Sequence, residues 1–411
     1  MVLELHVWGP AFSLPSIDPQ CLATIAYFKE AGVPRDQWVL VATSDPSVSP
    51  MNELPALKSG SRWISRYHNI VDYLRQYSGG EWDLDDGLSG MEKADCVAFS
   101  SFTESQGQPL VDLYLYITSQ NYSAGTAPAY ASFLQWPNQW ILPPRRRGVA
   151  KTRTEHLGLS ALDLTAIEEE RKREHSAAVA AGQVPKSMNL IQRPQQTVTE
   201  LLGKTSHPNQ FRLDAVTAAF LDPLEELLES KRGGKSGQRY FFSDTKASSL
   251  DCLVVGYLAL ALVPSLPYPW FADAMKEKTP SLAAYAQQLQ RCFGTVDVED
   301  AFREGANNLS RSSLPWQAPE RPSIGRVGMT IFDNICDATP VLKEIRANQR
   351  LKQAGMSSEP GLDPKQQRMI VKLADARRRE LYTSIVTVTA GLGAMAGYMF
   401  HTGLLPLPGR S

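Results

Sequence analysis

Residues 1–80 carry strand and helix patterns in alternation. Two apolar runs, Leu3–Trp8 and Trp38–Ala42, are typical of buried strands. Between them we predict a helix, because Asp18 is a good N-cap, Pro19 suits the first helical turn and Gly32 suits the position just past the end. The chain is therefore predicted to begin with a strand–helix–strand unit.

Two shorter strands and a second helix follow in the same region. Leu54-Pro55 begins a third strand, Ser61–Ile64 follows a Ser-Gly turn, and Ile70–Tyr77 has helical spacing. This order of elements predicts a small α/β domain over residues 1–80.

Beyond Leu88 the apolar residues recur at helical spacing. The predicted helices are Met91–Phe102, Leu110–Tyr122, Asn209–Ser230, Leu250–Val263 and Ser281–Phe293. They predict an all-helical domain over residues 88–302, interrupted by a polar insertion at about 143–206. We interpret the charged run Glu168–Glu174 in this insertion, which also contains Arg145–Arg147, as a solvated helix face or flexible arm. Docking of a partner is the alternative. Residues 303–380 are predicted to be a linker followed by a basic juxtamembrane helix.

No Lys, Arg, Asp or Glu stands between Glu380 and Arg410. Within this stretch, Leu381–Leu405 is long and apolar enough for a transmembrane helix, which takes about 20 residues. Positive charge next to a span resists translocation, so Arg377, Arg378 and Arg379 are expected on the cytoplasmic side. The sequence predicts a tail anchor that holds the bulk of the chain in the cytosol.

Two glycines in the predicted span are spaced for close helix packing. Gly393 and Gly397 form a GxxxG pattern, on which another helix or a barrel wall can approach closely. Glycine is also common in membrane helices, so a chance occurrence is the alternative.

Charge and cysteine content limit the classes of partner and the cellular compartment that the sequence favours. Lys and Arg number 42 against 43 Asp and Glu, so no overall basic field favours nucleic acid as a partner. Residues 342–380 carry a net charge of +5, which is suited to a membrane lipid surface or to a solvated helix. Five scattered cysteines without a CxxC pair are typical of a reducing compartment.

Catalytic and metal-binding patterns are missing from the sequence. The six histidines have no metal-ligand spacing, and the stretch Gly233–Ser236 does not have the spacing of a P-loop. We therefore expect no cofactor, no metal and no enzymatic activity.

Two features resemble the glutathione S-transferase fold, with its thioredoxin-like N-terminal domain and helical C-terminal domain. In that fold the proline that begins the third strand, here Pro55, is cis. Ser248 and Asp251 form an S-x-x-D capping box before an apolar run, as at the core helix of the transferases' helical domain.

The chain further resembles the metaxin family. The block ISRYHNIVDYL at Ile64–Leu74, the two transferase-like halves, the polar insertion and the C-terminal anchor carry this resemblance. More specifically, the chain resembles the fungal metaxin-like subunit of the mitochondrial outer-membrane sorting and assembly machinery, the SAM complex.

The resemblance implies a non-enzymatic protein of the mitochondrial outer membrane that supports insertion of β-barrel precursors. The partners it implies are a BamA-like β-barrel insertase subunit, a second metaxin-like subunit without a span, and the general outer-membrane import translocase. Two alternatives are a membrane-tethered glutathione-dependent enzyme and a tail-anchored adaptor on another organelle.

The glutathione site of an active transferase is expected to be degenerate here. Leu54 and Pro55 keep the backbone that would bond the ligand, but the resemblance puts Arg66 and Tyr67 where an acidic residue and a serine would bind it. At 4 Å a like charge repels the ligand ammonium by up to about 4 kcal/mol. Ser13 or Ser16 can occupy the thiolate-binding position, although serines beside prolines are more typical of turns.

Overall fold

The computed structural model describes most of residues 2–302 and a short segment beyond them. The described residues are 2–43, 46–49, 53–134, 136, 138–159, 162–163, 207–232, 240–294, 296, 298–302, 314–317, 372, 375, 376 and 379. Met1–Glu320 and Arg321–Ser411 are separate compact units, and every element named below belongs to the first.

Several predicted features lie outside the described residues. These are Glu168–Glu174, Gly233–Ser236, Arg377, Arg378 and the predicted span Leu381–Leu405 with Gly393 and Gly397. Among the residues that are described, no helix has the length and apolar character needed to cross a membrane.

A five-stranded mixed sheet forms the N-terminal half. Its strands are β1 (Leu3–Trp8), β2 (Trp38–Thr43), β3 (Ala56–Ser59), β4 (Arg62–Ser65) and β5 (Trp316–Gln317). The order is β4-β3-β1-β2-β5, with β1 parallel to β2, β2 parallel to β5 and the remaining pairs antiparallel. Helices α1 (Pro19–Glu30) and α2 (Tyr67–Tyr77) complete this half.

Local signals in the sequence correctly predicted several features of this half. The Asp18 carboxylate accepts bonds from the backbone N–H groups of Gln20 and Cys21 at 3.1 and 3.2 Å, as an N-cap does. Gly32 follows α1 with a φ of 69°. The Leu54-Pro55 peptide bond is cis, which confirms the prediction from the resemblance.

The second half is helical, and its chain folds back and forth over a large apolar core. Its helices are α3 (Gly90–Phe102), α4 (Gln108–Asp112), α5 (Ser119–Asn121), α6 (Ala127–Phe133), α7 (Asn138–Thr154), α8 (His207–Arg232), α9 (Ser249–Leu262), α10 (Trp270–Lys278), α11 (Pro280–Leu289) and α12 (Val298–Phe302). Wider π-type turns at Thr103–Gly107, Leu113–Ile117 and Tyr122–Thr126 connect several of them.

Helix α9 lies in the apolar core of the first unit. Every residue from Ser249 to Ala261 is buried, and α9 packs along α1. Gly256 allows this approach, since a Cβ there would lie 2.4 Å from the Pro19 carbonyl oxygen and 2.8 Å from the Ala23 nitrogen. The lack of a side chain at Gly256 therefore lets α1 of the first half pack closely against α9 of the second half.

The structure differs from the sequence-based expectations in three segments. The predicted helix Leu110–Tyr122 is interrupted at Thr118, whose amide and hydroxyl both donate to the Leu113 carbonyl and leave its ψ at 102°. Part of the predicted linker, Trp316–Gln317, adds β5 to the sheet, with the Leu40 amide donating to the Pro315 carbonyl at 2.8 Å. The start of the predicted polar insertion belongs to helix α7, which packs on the core.

Candidate functional site

Arg66 is the residue that the resemblance to the transferases puts where an active enzyme would bind the amino end of its ligand. It has an unusual φ of 75°, and its amide donates to the Pro55 carbonyl at 3.2 Å. Its guanidinium donates two hydrogen bonds to the Glu53 carboxylate, at 2.8 and 3.0 Å. The cation is therefore already paired and presents no acceptor to a ligand ammonium.

Tyr67 is a structural residue. Its side chain is completely buried, its hydroxyl donates to the Ser249 carbonyl at 2.6 Å, and its ring meets that of Tyr27 edge-on. Burial raises the pKa of Tyr67 well above its ordinary value. Tyr67 thus connects α2 of the first half to α9 of the second and cannot reach a ligand.

The loop after β1 offers little to a thiol ligand. Ser16 is buried and its hydroxyl accepts the Asp18 amide at 3.3 Å, so the internal structure uses it. Ser13 is exposed with a φ of 62°, and its carbonyl accepts the Val296 amide at 3.3 Å. Ser13 is a turn residue, and only its side chain remains accessible.

Arg146 from helix α7 reaches the N-terminus of α1. Its guanidinium donates to Asp18 at 2.8 Å and lies over the ring of Trp8 at 5.0 Å, with Tyr116 and Tyr130 bonded to each other nearby. The Asp18 carboxylate therefore caps α1 with one oxygen and binds Arg146 with the other. An arginine that the sequence placed in a solvated insertion fills the space beside the first strand.

Other basic residues of α7 neutralise buried carboxylates in the same way. Arg147 and Lys151 contact Asp163 at 2.9 and 2.7 Å, and Arg153 contacts Asp112 at 3.0 Å. Burial raises the pKa of Asp112 to about 6, although Arg153 and a hydrogen bond from the Gln108 side chain oppose this effect. The inner face of α7 is thereby fixed to the body by charge-assisted contacts.

The capping box that the sequence predicted is present and is part of a larger network. The Asp251 carboxylate accepts bonds from the Ser248 amide at 2.8 Å, the Phe241 amide at 3.0 Å and the Tyr285 hydroxyl at 2.5 Å. Burial raises the pKa of Asp251. Asp85 from the connection between the halves adds a second carboxylate, which accepts the Ser249 amide at 2.8 Å. This network is structural and lies away from solvent.

In the described part of the chain, the structure shows neither a metal-binding cluster nor a reactive thiol. No cluster of three or more His, Cys, Asp or Glu side chains there is placed to hold a metal ion. Burial raises the pKa of the Cys96 thiol to about 11 and that of Cys292 to about 12, and it raises those of Cys21 and Cys252 well above the ordinary value. These thiols are protonated at neutral pH and are poor nucleophiles.

Two exposed apolar surfaces were missed by the sequence analysis. Trp136 and Trp140, at the start of α7, are 63% and 73% exposed. Met91 and Val97 on α3 are 75% and 69% exposed. A signal for the first was present, because residues 113–154 contain no Asp or Glu.

Comparisons with known proteins give a consistent result. A family described as "Tom37: Outer mitochondrial membrane transport complex protein" matches residues 21–147. Metaxin-1 of Macaca fascicularis is 29% identical over 64% of this chain and 67% of its own, and metaxin-1 of Sus scrofa is 25% identical over 98% of this chain and 92% of its own. Metaxin-3 of Xenopus laevis is 28% identical over 54% of this chain and 67% of its own.

Among solved structures, a glutathione S-transferase of Ceriporiopsis subvermispora in complex with glutathione is similar with a TM-score of 0.42 and 14% identity. The similarity covers 72% of this chain and 99% of that one. The cis Leu54-Pro55 bond and the buried capping box of α9 are the two features in which the sequence resembles the glutathione S-transferase fold. The chain is similar to metaxins over most of its length and to the Tom37 family over residues 21–147.

Proposed function

We propose that this protein is a non-enzymatic subunit of the mitochondrial outer-membrane machinery that assembles β-barrel proteins. The family that matches it is described as part of an outer mitochondrial membrane transport complex, which supports the location and the general role. The observation that carries the non-enzymatic part is the structural use of the residues expected to bind the ligand. Arg66 is paired with Glu53, Tyr67 is buried against α9, and Arg146 fills the space at the start of α1.

In this proposal the protein acts by holding its partners together. The span predicted at Leu381–Leu405 tethers the transferase-like body to the cytosolic face of the membrane, beside a BamA-like barrel subunit and a second metaxin-like subunit without a span. A tether converts docking into a nearly intramolecular step and raises the effective concentration to about the millimolar range for a short linker. Stabilising the complex requires no bond-making chemistry, in agreement with the buried thiols.

Purification of the tagged full-length chain from mitochondria in a mild detergent tests this function. We expect a β-barrel subunit and a second metaxin-like subunit to co-elute with it. A preparation in which the folded chain never carries a barrel subunit would contradict the proposal. A reporter fused to residues 340–411 should localise to the outer membrane, and its appearance on another organelle would favour the adaptor alternative.

The backbone geometry at Leu54-Pro55 favours one second candidate, a glutathione-dependent enzyme. Isothermal titration of the full-length chain with glutathione distinguishes the two functions. We expect no binding at micromolar concentrations, because Arg66 is paired with Glu53 and offers no acceptor to the ligand ammonium, and because Tyr67 is inaccessible. The control is Glu53→Gln, which frees Arg66 from its carboxylate and should not create binding. Micromolar binding by the native chain would support the enzyme.

A further inference from the structure

His68 follows Arg66 and Tyr67 at the start of helix α2, and like them it contacts a distant part of the chain. Its Nε2 atom lies 3.3 Å from an oxygen of the Glu104 carboxylate. Glu104 belongs to the π-type turn Thr103–Gly107, which follows α3 in the helical half. The contact therefore joins the first half of the protein to the second.

The Glu104 carboxylate has another partner in the first half. The side-chain amide of Gln20, in the first turn of α1, donates to its Oε1 atom at 3.1 Å. Glu104 thus directs one oxygen toward α1 and the other toward α2, and these two contacts orient the carboxylate. The turn that carries Glu104 has the wider π-type geometry, which often occurs at functional positions of helices.

The contact between His68 and Glu104 depends on the protonation of the imidazole. Only the imidazolium form carries the positive charge that attracts a carboxylate. The His68 side chain is 45% exposed and that of Glu104 is 28% exposed, so the ring can exchange protons with solvent. The hydrogen bond with Glu104 raises the pKa of His68 above its ordinary value, although burial opposes this effect. The ring therefore keeps its proton to a higher pH than an ordinary histidine.

The other charged groups near His68 lie on its own helix. Asp72 raises the pKa of the ring, whereas Arg75, which is paired with Asp83 at 2.9 Å, lowers it. The ring of Tyr67 meets the imidazole edge-on at 5.4 Å and carries no charge at neutral pH. Among the groups that act on His68, Glu104 of the other half has the largest effect.

We propose that His68 and Glu104 form a pH-sensitive contact between the two halves of the body. An ion pair closes the contact while the imidazole is protonated, and the contact loosens when the proton leaves. Loosening frees the start of α2 and the π-type turn Thr103–Gly107, while the buried core around α9 stays closed. The inference concerns the body alone and does not depend on the proposed function.

Hydrogen–deuterium exchange of the full-length chain in mild detergent tests this contact at about pH 6 and about pH 8.5, on either side of the range where histidine titrates. Rates are corrected for the intrinsic pH dependence of amide exchange. Between these pH values, amides of Thr103–Gly107 should lose up to about fivefold more protection in the native chain than in His68→Gln, the factor expected for a half-exposed ion pair. Asp112 titrates in both proteins, so its effect cancels.

A second variant and a matched control make the assignment specific. Glu104→Gln keeps an acceptor for Gln20 but removes the negative charge, so it should abolish the pH response as His68→Gln does. The control is His156→Gln, at an exposed position of the second half, which should keep the native response. NMR titration of the ring signals gives an independent measurement. In Glu104→Gln the pH at which the His68 ring titrates should fall.

The inference fails if the native chain and His68→Gln respond equally to pH, or if Glu104→Gln keeps the native response. It also fails if the His68 ring titrates no higher in the native chain than in Glu104→Gln. An equal loss of protection in α9 would show that the whole fold loosens, which likewise contradicts a local contact. Circular dichroism establishes that each variant is folded. If Glu104→Gln does not fold, the comparison of the native chain with His68→Gln decides alone.

Discussion

At the scale of single residues, Gly256 makes a testable contribution to stability. An alanine there would bring a Cβ within 2.4 Å of the Pro19 carbonyl oxygen, and that backbone is fixed by the packing of α1 on α9. We expect Gly256→Ala to lower the free energy of unfolding by about 1–3 kcal/mol or more, because the two helices must separate.

Urea unfolding of the full-length protein in mild detergent measures this effect. The matched control is Gly148→Ala in α7, where a Cβ would meet nothing within 4 Å. Alanine is the better helix former by about 1 kcal/mol, so this control should be neutral or stabilising. Equal effects from the two substitutions would show that the α1–α9 approach is not as close as described.

Asp112 provides a pH dependence whose sign follows from its environment. Burial raises its pKa in the folded state to about 6, whereas an unfolded Asp titrates near 4. The folded state therefore holds this proton more tightly, and the stability so gained is present below about pH 4 and is lost as the pH rises through about 6. A shift of about two pKa units corresponds to roughly 3 kcal/mol.

We expect the native protein to lose stability relative to Asp112→Asn as the pH is raised from 4.5 to 7. Urea unfolding of both proteins across this range gives the difference directly. Asp244→Asn, the same substitution at an exposed position, is the control. A native-minus-variant difference that grows with pH would mean that Arg153 outweighs burial at this site.

At the scale of secondary-structure elements, the protein contains two capping boxes of the same design in different surroundings. Ser89 and Glu92 begin α3 at the surface, whereas Ser248 and Asp251 begin α9 in the core. Glu92→Ala should cost no more than about 1 kcal/mol. Asp251→Ala leaves the Tyr285 hydroxyl and two buried amides without an acceptor and should cost at least about 3 kcal/mol.

Thermal or urea unfolding of the two alanine variants compares the boxes, and each variant serves as the control of the other. Asp251→Asn keeps the shape of the side chain and part of the hydrogen bonding. Its loss of unfolding free energy should therefore lie between those of the two alanine variants. If Asp251→Ala were as mild as Glu92→Ala, the buried network at α9 would contribute little to the fold.

The elements that the sequence predicted well are those whose signals are local. Asp18 and Ser248 cap helices that begin within one residue of them, and two apolar runs place β1 and β2. The inner contacts of α7 could not be predicted, because Arg146 and Asp18 are 128 positions apart in the chain. Strand β5 was missed for a related reason. Two residues have no periodicity, and only pairing with β2 defines them.

The candidate site also has one part that the sequence predicted and another that only the tertiary structure shows. The prediction that Arg66 and Tyr67 stand in place of the ligand-binding pair came from the sequence, once the resemblance was recognised. The partners of these two residues did not follow, since Glu53 and Ser249 are assigned to them only by the tertiary structure. The exposure of Trp136 and Trp140 could not be predicted either, since only the structure shows which side chains near α7 are exposed.

At the scale of the whole molecule, the contact between Arg146 and Asp18 connects helix α7 to the start of α1. Arg146→Met removes the charge but keeps most of the apolar length over Trp8. It leaves a largely buried carboxylate without its cation, a change that typically costs about 3–5 kcal/mol. Because α7 is attached through several such pairs, we expect local loosening of α7 before global unfolding.

Hydrogen–deuterium exchange measured by mass spectrometry separates these two outcomes. In Arg146→Met, amides of α7 should exchange faster by about tenfold for each 1.4 kcal/mol of local stability lost, while those of α9 keep most of their protection. The control, Lys278→Met, removes a half-exposed ion pair with Asp214 and should change neither helix, since such pairs contribute less than about 1 kcal/mol. Equal acceleration in α7 and α9 would show that α7 belongs to the cooperative core. In that case α7 opens only when the whole protein unfolds.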